Sequence, residues 1–375
     1  MKRIFWRPIK ASRAALVLIA VLALVGITAV EWLRVTTRQP DYDEKLAAAS
    51  LAEEAMTAIR EERLMLGRLI DPHADPTCSG LVGVVMTPMT SEPASWRAKR
   101  TSVNPNFAAV VINLLKQAKI KDGDCVAVGV SGSFPALNAC VYAALETLRV
   151  KPIIIASVAS SQWGANLPDF TWLDMERALY NRHLVSFHSE AASLGGINDR
   201  GLGMSQEGRA VLLAAIERNK LPLIRAKTYV GGIDERMNLF TDKARGAPIK
   251  AYINVGGGTV SVGKSVGKRA FASGISVRAP KGADMIDSVM GRFVKRGVPV
   301  IHLVQVEELA ERYGLPIMPD VLPAAGEGTV FARQEYNRPL AAATLAAICL
   351  ALHGFLRCDW GVRGSRPSTA EGGWG

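Results

Sequence analysis

Metal-ligating side chains are scarce in this chain. Its 375 residues hold five histidines and five cysteines. Cys78, Cys125, Cys140, Cys349 and Cys358 are scattered, with no CxxC pair and no spacing that would close a metal site, so no metal is expected. Cys349 and Cys358 fall in or just after an apolar run, which leaves Cys78, Cys125 and Cys140 to meet an oxidising compartment. At most one disulfide could form among these three, and three buried free thiols are expected instead. Aromatic residues are only 6% of the chain, and no basic cluster interleaves with them, so nucleic acid is not expected as a partner. No internal repeat is present, and the one biased tract is a Gly/Ser/Pro-rich tail after Gly361, expected to be disordered.

Long hydrophobic runs, by contrast, are present at both ends. Residues 14–30 are uncharged and follow Lys2, Arg3, Arg7, Lys10 and Arg13. A bilayer is crossed by about 20 apolar residues, and no small-residue cleavage site follows this run; Glu31, Trp32 and Leu33 come next. A transmembrane anchor is therefore expected over residues 14–33, with residues 1–13 as a basic cytoplasmic segment by the positive-inside rule. The second run, Leu340 to Leu356, is alanine-rich and precedes Arg357, Arg363 and Arg366. It reads as a second transmembrane helix over 339–356 that returns the tail, 357–375, to the cytoplasm. The alternative is a buried helix of the main domain. The net charge of +11 is concentrated at the N-terminus: residues 1–13 carry five positive charges and the tail from Arg357 one, leaving +5 between them. That mild surplus suits an anionic ligand but does not require one.

Between the runs, Asp41 to Leu66 reads as a charged helix within a connecting segment, 41–70, with Leu46, Met56, Ile59 and Leu66 as its main apolar positions. Residues 71–335 then alternate short apolar runs with helical patterns. Strands are expected at Leu81–Met86, Cys125–Val130, Pro152–Val158, His183–Phe187, Ala251–Val255 and Pro299–Val304. Helices are expected at Asn106–Ala118, Ala136–Leu148, Phe170–Arg182, Ser205–Asn219 and Asp284–Arg296. Buried runs alternating with helices imply an α/β domain, with a mostly parallel sheet and helices on both faces. Ligands of such sheets bind beyond the carboxyl ends of the strands.

The richest stretch runs from Cys125 to Asn138, CVAVGVSGSFPALN. An apolar strand breaks at Ser131-Gly132-Ser133, and Pro135 opens a helix whose first N–H groups lack internal partners and favour anions. Ser131 also stands where a nucleophile-elbow serine would, but the pattern requires glycine where Ser133 lies. For a serine hydrolase built on Ser131 or Ser133, the candidate bases are His73, His183, His188 and His302. His188, at a strand end, is the best placed; His302, mid-strand, reads as a core histidine. Asp174 is the candidate acid beside Asp169 and Asp199, although a plain helix-face or capping role explains it better. Other polar stretches also follow strand ends. They offer Thr101, Ser102 and Asn104 in one segment, Trp163 and Asn166 in a second, and Gly256, Gly257 and Gly258 in a third. With Gly132 and Asn138 they suit a carboxylate- or amide-rich ligand. Gly258 to Ser265, GTVSVGKS, fits the phosphate-loop pattern, but Gly267 and Gly274 interrupt the helix that should follow. No nucleotide or other cofactor is expected.

KRTSVNPNFAAVVINLL (Lys99–Leu115), VAVGVSGSFPALNA (Val126–Ala139), SSQWGANLPDFTWLDME (Ser160–Glu176) and YINVGGG (Tyr252–Gly258) together resemble the poly-gamma-glutamate system protein family, over about Asp41 to Arg333 and the leading anchor. The resemblance implies a protein of the bacterial inner (cytoplasmic) membrane with its main domain outside the cytoplasm. It implies a part in capsule or cell-envelope chemistry through poly-γ-glutamate synthesis, export or processing. The implied partners are the poly-γ-glutamate ligase, the membrane synthesis and export components, and the anionic polymer. It brings no catalytic residues. Three functions stay open: an accessory protein that binds the polymer at the Ser-Gly-Ser turn, a serine-dependent amidase or transferase that trims it, and a scaffold joining ligase to export channel.

Overall fold

The computed structural model describes residues 13–357, so the basic segment before Arg13 and the tail after Arg357 lie outside the described residues. The chain divides into two compact units, Arg38–Ala332 and the segments flanking it. It runs through α1 (Arg13–Trp32), β1 (Val35–Arg38), α2 (Tyr42–Met65), α3 (Trp96–Ser102), α4 (Phe107–Gln117), β2 (Cys125–Ser131), α5 (Pro135–Thr147) and β3 (Lys151–Ser157). A small hairpin of β4 (Asn166–Leu167) and β5 (Phe170–Thr171) leads to α6 (Trp172–Asn181), β6 (Ala191–Ser193), α7 (Gln206–Arg218), α8 (Tyr229–Lys243) and β7 (Ile249–Val255). Next come α9 (Thr259–Val262), α10 (Lys264–Ala270), β8 (Gly274–Ser276), α11 (Val289–Lys295), β9 (Val300–Leu303), α12 (Val306–Arg312), β10 (Ala332–Glu335) and α13 (Arg338–Arg357).

The central sheet has six strands in the order β6-β3-β2-β7-β9-β8. The first five are parallel, and only the edge strand β8 runs antiparallel to its neighbour β9. Side chains alternate across the pleat, and each face of the sheet carries its own core. On one face Val126, Val128 and Val130 of β2 join Ile154, Ile253 and Ile301 beneath α2, α4, α5 and α6. On the other, Ala127, Ile155, Tyr252 and Val300 pack with Phe240 of α8 and Phe293 of α11. Helices therefore cover both faces, which is why the strands read as unbroken apolar runs.

Three parts of this architecture differ from the sequence expectation. Helix α2 packs along the domain as a connecting helix could, and goes further by forming part of its core. Ala48, Ala49, Ala52, Ala55 and Ala58 are buried along one side of it, letting its backbone approach α4 and α5 closely. The segment Leu81–Met86 forms no strand, because its polar backbone groups are satisfied elsewhere. Arg63 Nη1 donates to the carbonyls of Gly80 (2.9 Å) and Val82 (2.7 Å), and the side chain of Asn166 bonds both N–H and C=O of Val84. Residues 183–187 are likewise irregular, and the strand forms later, as β6.

In the flanking unit, α1 and α13 are long and apolar enough to cross a membrane by length and composition. They pack together where Gly26 meets Thr344, so closely that a Cβ at position 26 would lie 2.1 Å from Thr344 Cγ2. β1 pairs with β10 at the base of the two helices.

Candidate functional site at the strand switch point

After β2 the chain passes through α5 to β3 on one side of β2, then returns through β7 on the other. The direction of winding thus reverses between β2 and β7, and a ligand crevice opens where two neighbouring strands feed connections in opposite directions. Two adjoining clefts occupy this position. One, of about 170 Å³, is lined by Ser131, Ser133, Ser157, Asp199, Arg236 and Gly257 among others. The second, of about 300 Å³, is lined by Ser133, Phe134, Ser161, Gly257, Lys268 and His302 among others.

The Ser-Gly-Ser turn is tied on every side. Ser131 Oγ donates to the Val255 carbonyl at 3.3 Å, bridging β2 to β7, and its own carbonyl accepts from Asn138 Nδ2 at 2.8 Å. The N–H of Gly132 donates to Ser157 O (3.0 Å), and its carbonyl accepts from Ser160 Oγ (3.0 Å). Ser133 Oγ accepts from the Ser161 N–H (3.1 Å). Facing Ser131, Gly256 adopts φ +89°, and a Cβ there would lie 2.7 Å from Ser131 Oγ. Only glycine fits this left-handed, crowded position.

Charge enters the crevice from three sides. Arg236 from α8 pairs with Asp199 at 2.6 Å, both side chains buried, and the guanidinium also donates to Ser157 and Ser193. Lys268 from α10 stands half-exposed 4.0 Å from Glu92. Lys99 from α3 is buried. Its Nζ lies 3.9 Å from the Phe134 ring centroid, donates to the Ser133 carbonyl and sits 2.8 Å from Ser161 Oγ. Burial, only partly offset by Glu92, lowers the Lys99 ammonium to about 7. His302 is buried mid-strand in β9, as expected of a core histidine, with Nδ1 3.2 Å from Asn254 Nδ2, and it also lines the second cleft. As that amide can only donate, the imidazole proton sits on Nε2. Burial lowers His302 to about 4, so it is neutral at physiological pH.

The structure does not bring His188 and Asp174 to Ser131. β6 pairs with β3 at Ile155↔Ala191 and Ser157↔Ser193, and Ser131 pairs with Ser157. His188, three residues before Ala191, is therefore at the amino end of the sheet, against Tyr180, while Ser131 is at the carboxyl end. Asp174 completes a capping box with Thr171 at the start of α6 and pairs with Arg218 at 2.6 Å. Burial raises its carboxyl, but hydrogen bonds from Arg218, Asn219 and Thr171 outweigh that and hold it below the ordinary carboxylate range.

Several other expected ligand groups turn inward. Thr101 Oγ1 donates to Arg97 O, Ser102 Oγ to Lys99 O, and Asn104 Oδ1 accepts from the Asn106 N–H. Asn138 and Asn166 brace the turn and the Val84 loop, and Trp163 holds that loop through backbone bonds to Gly83 and Val84. None of these residues lines either cleft. Gly132 lies in the turn after β2 and Gly256 in the turn after β7, while Gly257 and Gly258 reach the crevice. The phosphate-loop pattern fails structurally: Thr259–Val262 is already a helical turn, and Gly263 at φ +99° starts a second short helix, so no open loop cradles an anion. Among the described residues no cluster of metal-ligating side chains occurs. Cys78, Cys125, Cys140 and Cys349 are free thiols, but Cys78 is exposed rather than buried.

Sequence reasoning passed over Lys99, Ser161, Ser157, Arg236 and Lys268 as site residues. Lys99 and Ser161 lie inside quoted motif stretches, and their clustering past strand ends was the available signal. Compared with known proteins, the chain matches no family model, no curated protein and no solved structure.

Proposed function

We propose that this chain is a membrane-anchored accessory protein of poly-γ-glutamate synthesis or export, and that its crevice holds a segment of the polymer. The observation that carries the reading is the concentration of hydroxyl, amide and cationic groups at the switch point, with Lys268 at the open side. A γ-linked polyglutamate offers one carboxylate and one amide per residue, which matches ammonium and guanidinium donors on one hand and serine hydroxyls on the other. The apolar helices α1 and α13 support anchoring, and the sequence resemblance supplies the polymer, the ligase and the export components as partners. In this reading both helices span the inner membrane, and the domain between them works outside the cytoplasm.

The test is binding of purified poly-γ-glutamate by the full chain in detergent, with Lys268→Glu as the probe because that side chain is half-exposed and its loss leaves the fold intact. Binding should weaken about tenfold in the variant and fall with added salt, since exposed charges are screened beyond ~8 Å at physiological ionic strength. Equal affinity for a neutral polyamide, or no change in Lys268→Glu, would count against the crevice as the polymer site. The trimming reading based on Ser131 with His188 loses its base to the opposite end of the sheet.

A further inference from the structure

We infer that Ser161 is an acyl-accepting nucleophile and Lys99 its general base, so that the crevice cleaves or transfers a secondary amide. For the identity of the substrate this rests on the proposed function; the chemistry itself rests on geometry. Ser161 Oγ lies 2.8 Å from Lys99 Nζ and has no other hydrogen-bond partner among the described residues. Its backbone is fixed by the bond from its N–H to Ser133 Oγ and by its carbonyl, which accepts from Ser160 Oγ at 2.9 Å. Lys99 is held in turn by the Ser133 carbonyl and the face of Phe134. Nucleophile, base and an orienting partner thus follow one another, as an activated serine requires. Ser161 lines the cleft of about 300 Å³ that Lys268 and His302 also line, and Lys99 stands buried behind it. A lysine lowered by burial to about 7 can shed its proton near neutral pH and is matched to general-base work.

The reaction balances without a cofactor. Ser161 Oγ bonds to the amide carbonyl carbon as its proton passes to neutral Lys99 Nζ. The C–N bond then breaks, and the Lys99 ammonium returns that proton to the departing amine. Water attacks the resulting ester with Lys99 again as base, which releases a carboxylic acid and restores the Ser161 hydroxyl. An incoming amine in place of water would give transfer rather than hydrolysis.

A fluorophosphonate reports the first step directly: an Oγ–P bond forms, fluoride leaves and the serine proton goes to Lys99. Applied to the full chain in detergent, with the adduct located by mass spectrometry, the probe should modify Ser161. The labelling rate should rise through pH 7 as Lys99 loses its proton. Ser161→Ala should abolish the adduct, and Lys99→Met should slow it about 10²-fold and flatten the pH profile. The wild-type profile and adduct position do not depend on any variant folding. An adduct on Ser131 or Ser133, no adduct on folded wild type, or an unchanged rate in Lys99→Met would overturn the assignment. Polymer binding measured on the same wild-type sample separates the two ideas. Binding without labelling removes the dyad and leaves the accessory reading, whereas Ser161 labelling without binding keeps the dyad and removes poly-γ-glutamate as the substrate.

Discussion

At the scale of single residues, Lys99 stands out among the described residues, because a buried ammonium is costly unless it sheds its proton. Its folded value near 7 against an ordinary 10.5 has a thermodynamic consequence. Between those values the unfolded chain holds a proton that the folded chain has released, so folding is favoured as pH rises. The contribution is at most about 1.4 kcal/mol per pH unit for one proton. Denaturant titrations between pH 7 and 10 should therefore show a steeper rise in stability for wild type than for Lys99→Met. Parallel curves would mean that Lys99 stays charged, and the same result would remove the base from the proposed dyad. Glu176 is the contrasting case. Burial raises its carboxyl against hydrogen bonds from Tyr142 and Ser189, but it sits beside Ser189, before β6 and at the amino end of the sheet, so it bears on packing and not on the crevice.

At the scale of elements, α2 shows what alanine does in a helix interface. Ala49 and Ala52 are fully buried, and their small side chains set the spacing to α4 and α5. Ala52→Leu should cost about 1–3 kcal/mol by overpacking, read as a lowered urea midpoint with an unchanged slope. A neutral result would mean that the interface has slack. The same stripe explains why the sequence led to a connecting helix. Alanine carries little hydrophobic signal, and the charged residues of α2 dominate its pattern. Strands with continuous apolar runs, such as β2, β3 and β7, were readable because they are buried on both faces. Leu81–Met86 has a similar composition, yet Arg63 and Asn166 take up its backbone groups. β6 escaped because Ala191-Ala192-Ser193 has no β-branched residue. α8 escaped although Thr228 caps it, because Gly231 and Gly232 in its first turn weaken the helical pattern. The Ser-Gly-Ser turn was legible because strand, glycine turn and Pro135 are local features. Its partners were not, since Lys99 and Ser161 meet across 62 residues of sequence and a buried lysine looks like any helix-surface lysine until the fold is known.

For the whole molecule, the decisive issue is the side of the membrane on which the domain lies, and the cysteines make this measurable. Helices α1 and α13 bracket the chain between Arg38 and Ala332, so if both span, everything between them emerges on one side. Cys125 and Cys140 are buried in that domain, while Cys78 is exposed. Burial also raises both Cys125 and Cys140 thiols, and the thiolate is the reactive form, so neither should react while the domain is folded. Cys349 lies within α13 and would be shielded by lipid. A membrane-impermeant maleimide applied to cells with a permeabilised outer layer but an intact inner membrane should therefore modify Cys78, and Cys78→Ser should remove that signal. The proposed function expects this orientation, because an exported polymer would meet the domain only on the outer side. Modification that depends on Cys78 and appears only after the inner membrane is lysed would place the domain in the cytoplasm. The crevice would then act on the growing chain before export rather than on the exported polymer.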